Sequence, residues 1–157
     1  MLTEDFPDRA RQKAGTLYRT DRLNCAEAVF KALIEESGHP CPLEILRMAS
    51  AFGRGMGSAG CCCGALVGGE MAVGFLFGRT EERGRCPDTC GQVAKLLHDH
   101  FARHNRATCC RVLHKGLPYG TPEQRAACAK RTEDAAAIAA GIILRAFEGK
   151  DPSGAHD

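Results

Sequence analysis

Apolar residues return at spacings of three and four along most of this chain and almost never at alternate positions, which predicts helices throughout and no sheet. Phe6 to Thr20 reads as a short, largely charged helix, an arm over the surface. Asn24 is a good N-cap for the next helix, and Glu27 at N3 completes a capping-box pair. That helix runs to about Ser37, with Gly38 past its end, and it turns Cys25, Ala28, Val29 and Ala32 to one face. Pro42 fits the first turn of a third helix, Leu43 to Ala51. A glycine-rich run follows. The central helix, Cys63 to Phe77, is apolar except for Glu70 and ends at Gly78. Beyond a charged connection, Arg79 to Arg85, Pro87 to His104 is amphipathic, with Val93, Leu96, Leu97 and Phe101 on its buried face. Thr108 caps a short helix, Cys109 to Lys115. Thr121-Pro122-Glu123-Gln124 opens the last one, which reaches about Phe147 with Cys128, Ala135, Ala139, Ile142 and Ala146 on one stripe.

The fold class expected is therefore all-α: a single-domain bundle of six or seven helices with a glycine-rich loop before the central helix. Residues 1–13 form an N-terminal arm, 14–149 the domain and 150–157 a flexible tail. At 157 residues the chain can bury about two-thirds of its unfolded surface and does not need disulfides to fold. The N-terminus has no apolar run, so no secretory signal peptide is expected. The longest apolar stretch, Ala65 to Phe77, is far short of the roughly 20 residues a membrane span needs. A net charge of +2 with both signs interspersed gives no footprint for nucleic acid or anionic lipid. These points lead to a cytoplasmic protein.

Ten cysteines change the picture. In a reducing compartment such a set stays reduced and is more often metal-binding or catalytic than structural. Cys61, Cys62 and Cys63 stand between the glycine-rich run and the central helix. Gly64, Gly68 and Ala72 recur every four residues, giving that helix a side-chain-poor face for a second helix to approach. Each helical glycine costs about 0.5–1 kcal/mol relative to alanine, so the start of this helix is pressed against something: a metal centre or a redox thiol pair. Cys25, Cys63 and Cys110 all lie in the first turn of a predicted helix, where unpaired N–H groups and the positive dipole end favour an anion. Such placement lowers a thiol pKa from about 8.5 to ~3.5–7.5. Cys128 stands two turns inside its helix on the buried stripe. Three thiolates at helix starts converging on one inward thiol would make a four-sulfur cage. The competing reading is that cysteine is simply a favoured small core residue.

The segments Asn24-Cys25-Ala26-Glu27-Ala28-Val29, Gly60, Cys63-Gly64-Ala65-Leu66-Val67-Gly68, Cys110-Arg111-Val112-Leu113 and Cys128 resemble the C_GCAxxG_C_C family. The resemblance covers residues 14–147. It implies a small, mostly helical protein whose four signature cysteines, here Cys25, Cys63, Cys110 and Cys128, are redox-active or bind a metal cluster. A comparable module looks like the cluster-holding part of split-Soret cytochromes. This chain departs from the pattern in its extra thiols: Cys41, Cys61, Cys62, Cys86, Cys90 and Cys109. It has no Cys-x-x-Cys-His haem site.

Cys61, Cys62 and Cys109 each neighbour a signature cysteine and are additional candidate ligands. Adjacent helical residues point about 100° apart, and the family register favours Cys110 over Cys109. Cys86 and Cys90 form a labile disulfide if Cys86 precedes its helix. Cys41, between two prolines, is a bystander. His100 and His104 lie one turn apart on a charged face, where a solvated surface is the stronger reading. Glu70 needs a partner if buried, with Arg54 one choice, or else tunes the site.

The leading function is an iron–sulfur protein, 2Fe-2S or 4Fe-4S, that carries electrons or senses redox state. The alternatives are a thiol–disulfide protein in which Cys63 attacks and a neighbour resolves, and a structural site for zinc or another soft ion. The long separations between the four cysteines fit neither zinc knuckles nor local ferredoxin spacing. The partners expected are a redox partner protein and, as an option, a second copy of the chain, with no nucleic acid and no membrane insertion.

Overall fold

The computed structural model of the chain describes residues 2–20 and 23–151. Among them every regular element is helical: α1 (Phe6–Thr20), α2 (Cys25–Glu36), α3 (Leu43–Leu46), a 3-10 segment (Arg47–Phe52), α4 (Gly53–Met56), α5 (Gly64–Phe77), α6 (Asp88–Asn105), α7 (Cys110–Leu113) and α8 (Pro122–Phe147). The all-α single-domain bundle expected from the hydrophobic pattern is what forms. None of these helices is long and apolar enough to cross a membrane. Most of the expected C-terminal tail, 152–157, lies outside the described residues, as does Met1.

The longest helix, α8, is the spine, and α1, α2, α5 and α6 all pack on it. Its first turn is fixed by sequence: Thr121 accepts from the Gln124 amide at 3.2 Å and Pro122 occupies the first helical turn. The α2 start is equally local. The Asn24 side chain accepts from the Glu27 amide at 3.0 Å, and the Asn24 amide donates back to the Glu27 carboxylate at 2.9 Å. These two caps fix where Cys25 and Cys128 fall along their helices.

The core gathers Phe6 and Leu17 of α1, Val29, Phe30, Leu33 and Ile34 of α2, Val73 of α5, Val93, Leu97 and Phe101 of α6, and Ile142 and Ile143 of α8. The helix α1 is thus not the surface arm its charge suggests. Phe6, Ala10, Ala14 and Leu17 are all buried, a stripe at helical spacing that small alanines make easy to overlook. Its charged face is tied down by Arg9 and Lys13 to Glu36 and by Arg11 to Asp134. Asp134 also accepts from Lys130 at 2.8 Å and faces His104 at 3.3 Å. His104 therefore serves an ion-pair network between α6 and α8.

The side-chain-poor face of α5 meets α2. A Cβ on Gly68 would stand 2.3 Å from the Ala26 carbonyl oxygen, and Ala72 is fully buried. The segment expected as one helix, Leu43 to Ala51, is instead split between α3 and the 3-10 turns. Its buried residues are Leu46 and Ala49, three apart, a spacing that three-residue turns keep on one face. The glycine-rich run is not all loop either, since it includes the single turn α4. There Arg54, Met56 and Ser58 take positive φ between glycines, an unusual concentration of left-handed backbone for residues with side chains.

Candidate functional site

Two backbone hydrogen bonds align the stretch before α5 with the stretch before α7. The Arg111 amide donates to the Gly60 carbonyl at 3.0 Å, and the Cys63 amide donates to the Thr108 carbonyl at 2.7 Å. Cys61 and Cys109 are joined by a disulfide across this seam, and the Cys62 thiol donates to the Thr108 carbonyl at 3.3 Å. Cys61 and Cys109 are therefore bonded to each other, not open as extra ligands, and the expectation of an all-thiol set holds for the other eight cysteines. The seam also sets caps that the sequence places one residue away. Cys63 is the N-cap of α5, and Cys109, not Thr108, is the N-cap of α7, leaving Cys110 as its first helical residue.

The free cysteines that are buried are Cys25, Cys63, Cys110 and Cys128; Cys41, Cys62 and Cys90 are half-buried and Cys86 is exposed. Cys25 begins α2, and α5 approaches it at a glycine: a Cβ on Gly64 would lie 2.6 Å from the Cys25 Sγ. The buried four sort into two pairs, each within electrostatic reach of the other. Cys25 donates to Cys128, which together with burial holds Cys25 well above the ordinary thiol value. The same contact, helped against burial by His114 and Tyr18, brings Cys128 down to about 4. Cys63 donates to Cys110 and is raised by that contact and by burial, although the Ala65 and Leu66 amides at the start of α5 pull it the other way. Cys110 is lowered, first by Cys63, with the positive charge of Arg131 adding to the effect. The helix-start N–H groups thus do act on Cys63, but the thiol–thiol contacts dominate.

Three residues outside the recognised motif complete the site. Tyr18 of α1 bonds to Cys128, and its hydroxyl is raised by burial and by that thiolate. Arg131 Nη1 contacts His114 Nε2 at 3.2 Å, and its Nη2 donates to the Leu113 carbonyl at 3.3 Å. Guanidinium only donates, so a neutral His114 carries its proton on Nδ1. The His114 side chain also helps to lower Cys128. Its Nδ1 and Arg131 Nε are buried with no hydrogen-bond partner among the described residues.

The donor set would suit a soft anionic cluster: four buried sulfurs beside two buried nitrogens that lack a partner, for which cluster sulfide would be an acceptor. Tetrahedral zinc would need four sulfurs at about 2.3 Å from one point; among the described residues no group of three or more His, Cys, Asp or Glu side chains is placed to hold a metal ion of any kind.

The remaining sequence candidates fall elsewhere. Cys86 precedes α6, and it contacts Cys90, which burial and that contact raise, but both are free thiols. Glu70 does not meet Arg54, whose guanidinium lies 4.0 Å over the Tyr119 ring. Burial instead lifts the Glu70 carboxyl to about 7.

A family model described as "Putative redox-active protein (C_GCAxxG_C_C)" matches residues 23–142. No curated protein and no solved structure matches the chain.

Proposed function

The chain belongs to the C_GCAxxG_C_C family of redox-active proteins, and from that premise we propose that Cys25, Cys63, Cys110 and Cys128 hold an iron–sulfur cluster through which it carries electrons or reports redox state. The observation that carries this reading is the burial of all four signature thiols, in two contacting pairs within electrostatic reach of each other, while the extra cysteines are bonded to each other or lie nearer solvent. A bound cluster supplies a one-electron couple whose potential depends on hydrogen bonds to sulfur and on solvent exposure. The chain's own contribution is to set both. The Ala65 and Leu66 amides point at Cys63, Tyr18 and His114 bear on Cys128, and Arg131 places positive charge beside Cys110. Each of these favours the reduced, more negative state. Anaerobic purification or reconstitution with iron and sulfide tests the reading: the visible absorption of a cluster, bleached by dithionite, is expected.

A second reading is favoured by the two thiol contacts. In each pair a lowered thiol faces a raised one, the arrangement dithiol–disulfide exchange uses. A metal-free protein in which mild oxidant links Cys63 to Cys110, or Cys25 to Cys128, would select it.

A further inference from the structure

Three of the four buried thiols are reached from an open cleft of about 910 Å³, lined by Cys25, Cys110 and Cys128 and by Arg19, Arg54, Arg111 and Arg125, with no aspartate or glutamate among the described residues of its wall. The thiols are buried and the four arginines exposed, so the guanidiniums stand at the mouth. The whole chain carries a net charge of only +2, which makes this a local concentration of positive charge. Low-dielectric walls focus such a field on whatever enters.

Two of the four arginines are otherwise engaged: Arg19 pairs with Glu133 and Arg54 stacks over Tyr119. Arg111 and Arg125 have no carboxylate partner among the described residues. The Arg111 backbone and stem are nevertheless held in place. Its amide bonds to Gly60, and its stem lies along that glycine, where an added Cβ would meet the Arg111 Cβ at 3.1 Å. A guanidinium held by its backbone, without a counter-charge, is set to receive a planar or tetrahedral anion through two parallel N–H donors. The volume suits a small molecule bound in an open cleft.

We infer that this cleft binds a small anion bearing carboxylate or phosphate groups and presents it to the thiol site. The inference deepens the redox reading and rests on it for what the anion then does, but binding is tested separately. The full-length chain, as isolated anaerobically, is titrated calorimetrically with citrate and with pyrophosphate at constant ionic strength. The chain has two tyrosines and no tryptophan, and both tyrosines line the cleft, so a change in tyrosine emission locates the binding there. Saturable binding of at least one anion is expected, and whichever binds identifies the carboxylate or the phosphate source. The double variant Arg111→Gln/Arg125→Gln should weaken it about tenfold or more, with unchanged melting temperature and unchanged iron and sulfide. Arg47→Gln, outside the cleft, should leave it intact. Absence of saturable binding by either anion, or equal binding by the double variant, overturns the inference. Protein that binds the anion through Arg111 and Arg125 but holds no iron and sulfide, either as isolated or after reconstitution, would sink the cluster reading alone. Loaded protein that binds neither anion would sink this one alone.

Discussion

Gly64 of α5 faces Cys25 of α2 so closely that a methyl group on Gly64 would lie 2.6 Å from the Cys25 Sγ and 2.6 Å from the Phe52 carbonyl oxygen. The glycine is therefore what lets the start of α5 approach the thiol. The Phe52 oxygen belongs to the backbone, so it cannot turn aside as a side chain would. Gly64→Ala should destabilise by about 1–3 kcal/mol and displace Cys25. Thermal or urea unfolding measures the first effect. Gly141→Ala, in α8 where an added Cβ meets nothing within 4 Å, should instead stabilise by about 0.4–1 kcal/mol. Equal effects at the two glycines would refute the close approach.

The bond between Cys61 and Cys109 spans 48 residues and holds the α5 and α7 starts together. Removing it by Cys109→Ser should cost about 2–4 kcal/mol in oxidised protein. Mild reductant should lower the melting temperature of the wild type toward that of the variant and leave the variant unmoved. Thiol titration of denatured, unreduced, metal-free protein should find eight free cysteines; ten would contradict the bond.

Glu70 gives stability a pH dependence of defined sign. Its folded carboxyl titrates near 7, against an ordinary value of 4.5. Between those values the folded state keeps a proton that the unfolded chain has lost, so stability falls as pH rises across the window. Glu70→Gln should be the more stable protein at pH 8 by about 1 kcal/mol, a figure reduced for partial exposure. At pH 4 the two should match. A difference that persists unchanged at pH 4 would mean that packing, not ionisation, separates them.

What was legible in the sequence is what is encoded locally. Asn24 with Glu27, and Thr121 with Pro122, announce α2 and α8 because their partners lie within one turn. The glycine period of α5 announces its close face, and Gly68 does meet Ala26. The rest depends on neighbours distant in sequence. Cys61 meets Cys109 only because 60–63 pairs with 108–111. Tyr18, His114 and Arg131 carry no motif and reach the thiols from α1, the end of α7 and α8. The burial of α1 was hidden by its charge count, although Phe6, Ala10, Ala14 and Leu17 held the stripe that decides it.

The central claim is that Cys25, Cys63, Cys110 and Cys128 act as one ligand set, and iron and acid-labile sulfide per chain test it most directly. They are measured in anaerobically prepared wild type, in Cys63→Ala and Cys128→Ala, and in Cys41→Ala as a half-buried control. The account predicts iron and sulfide in equal amounts in wild type and control. It predicts loss of both in the two ligand variants, with a lower melting temperature, since a cluster held by separate helices ties the bundle together. Tightly bound zinc without sulfide, or iron retained in Cys63→Ala and Cys128→Ala alike, would contradict it.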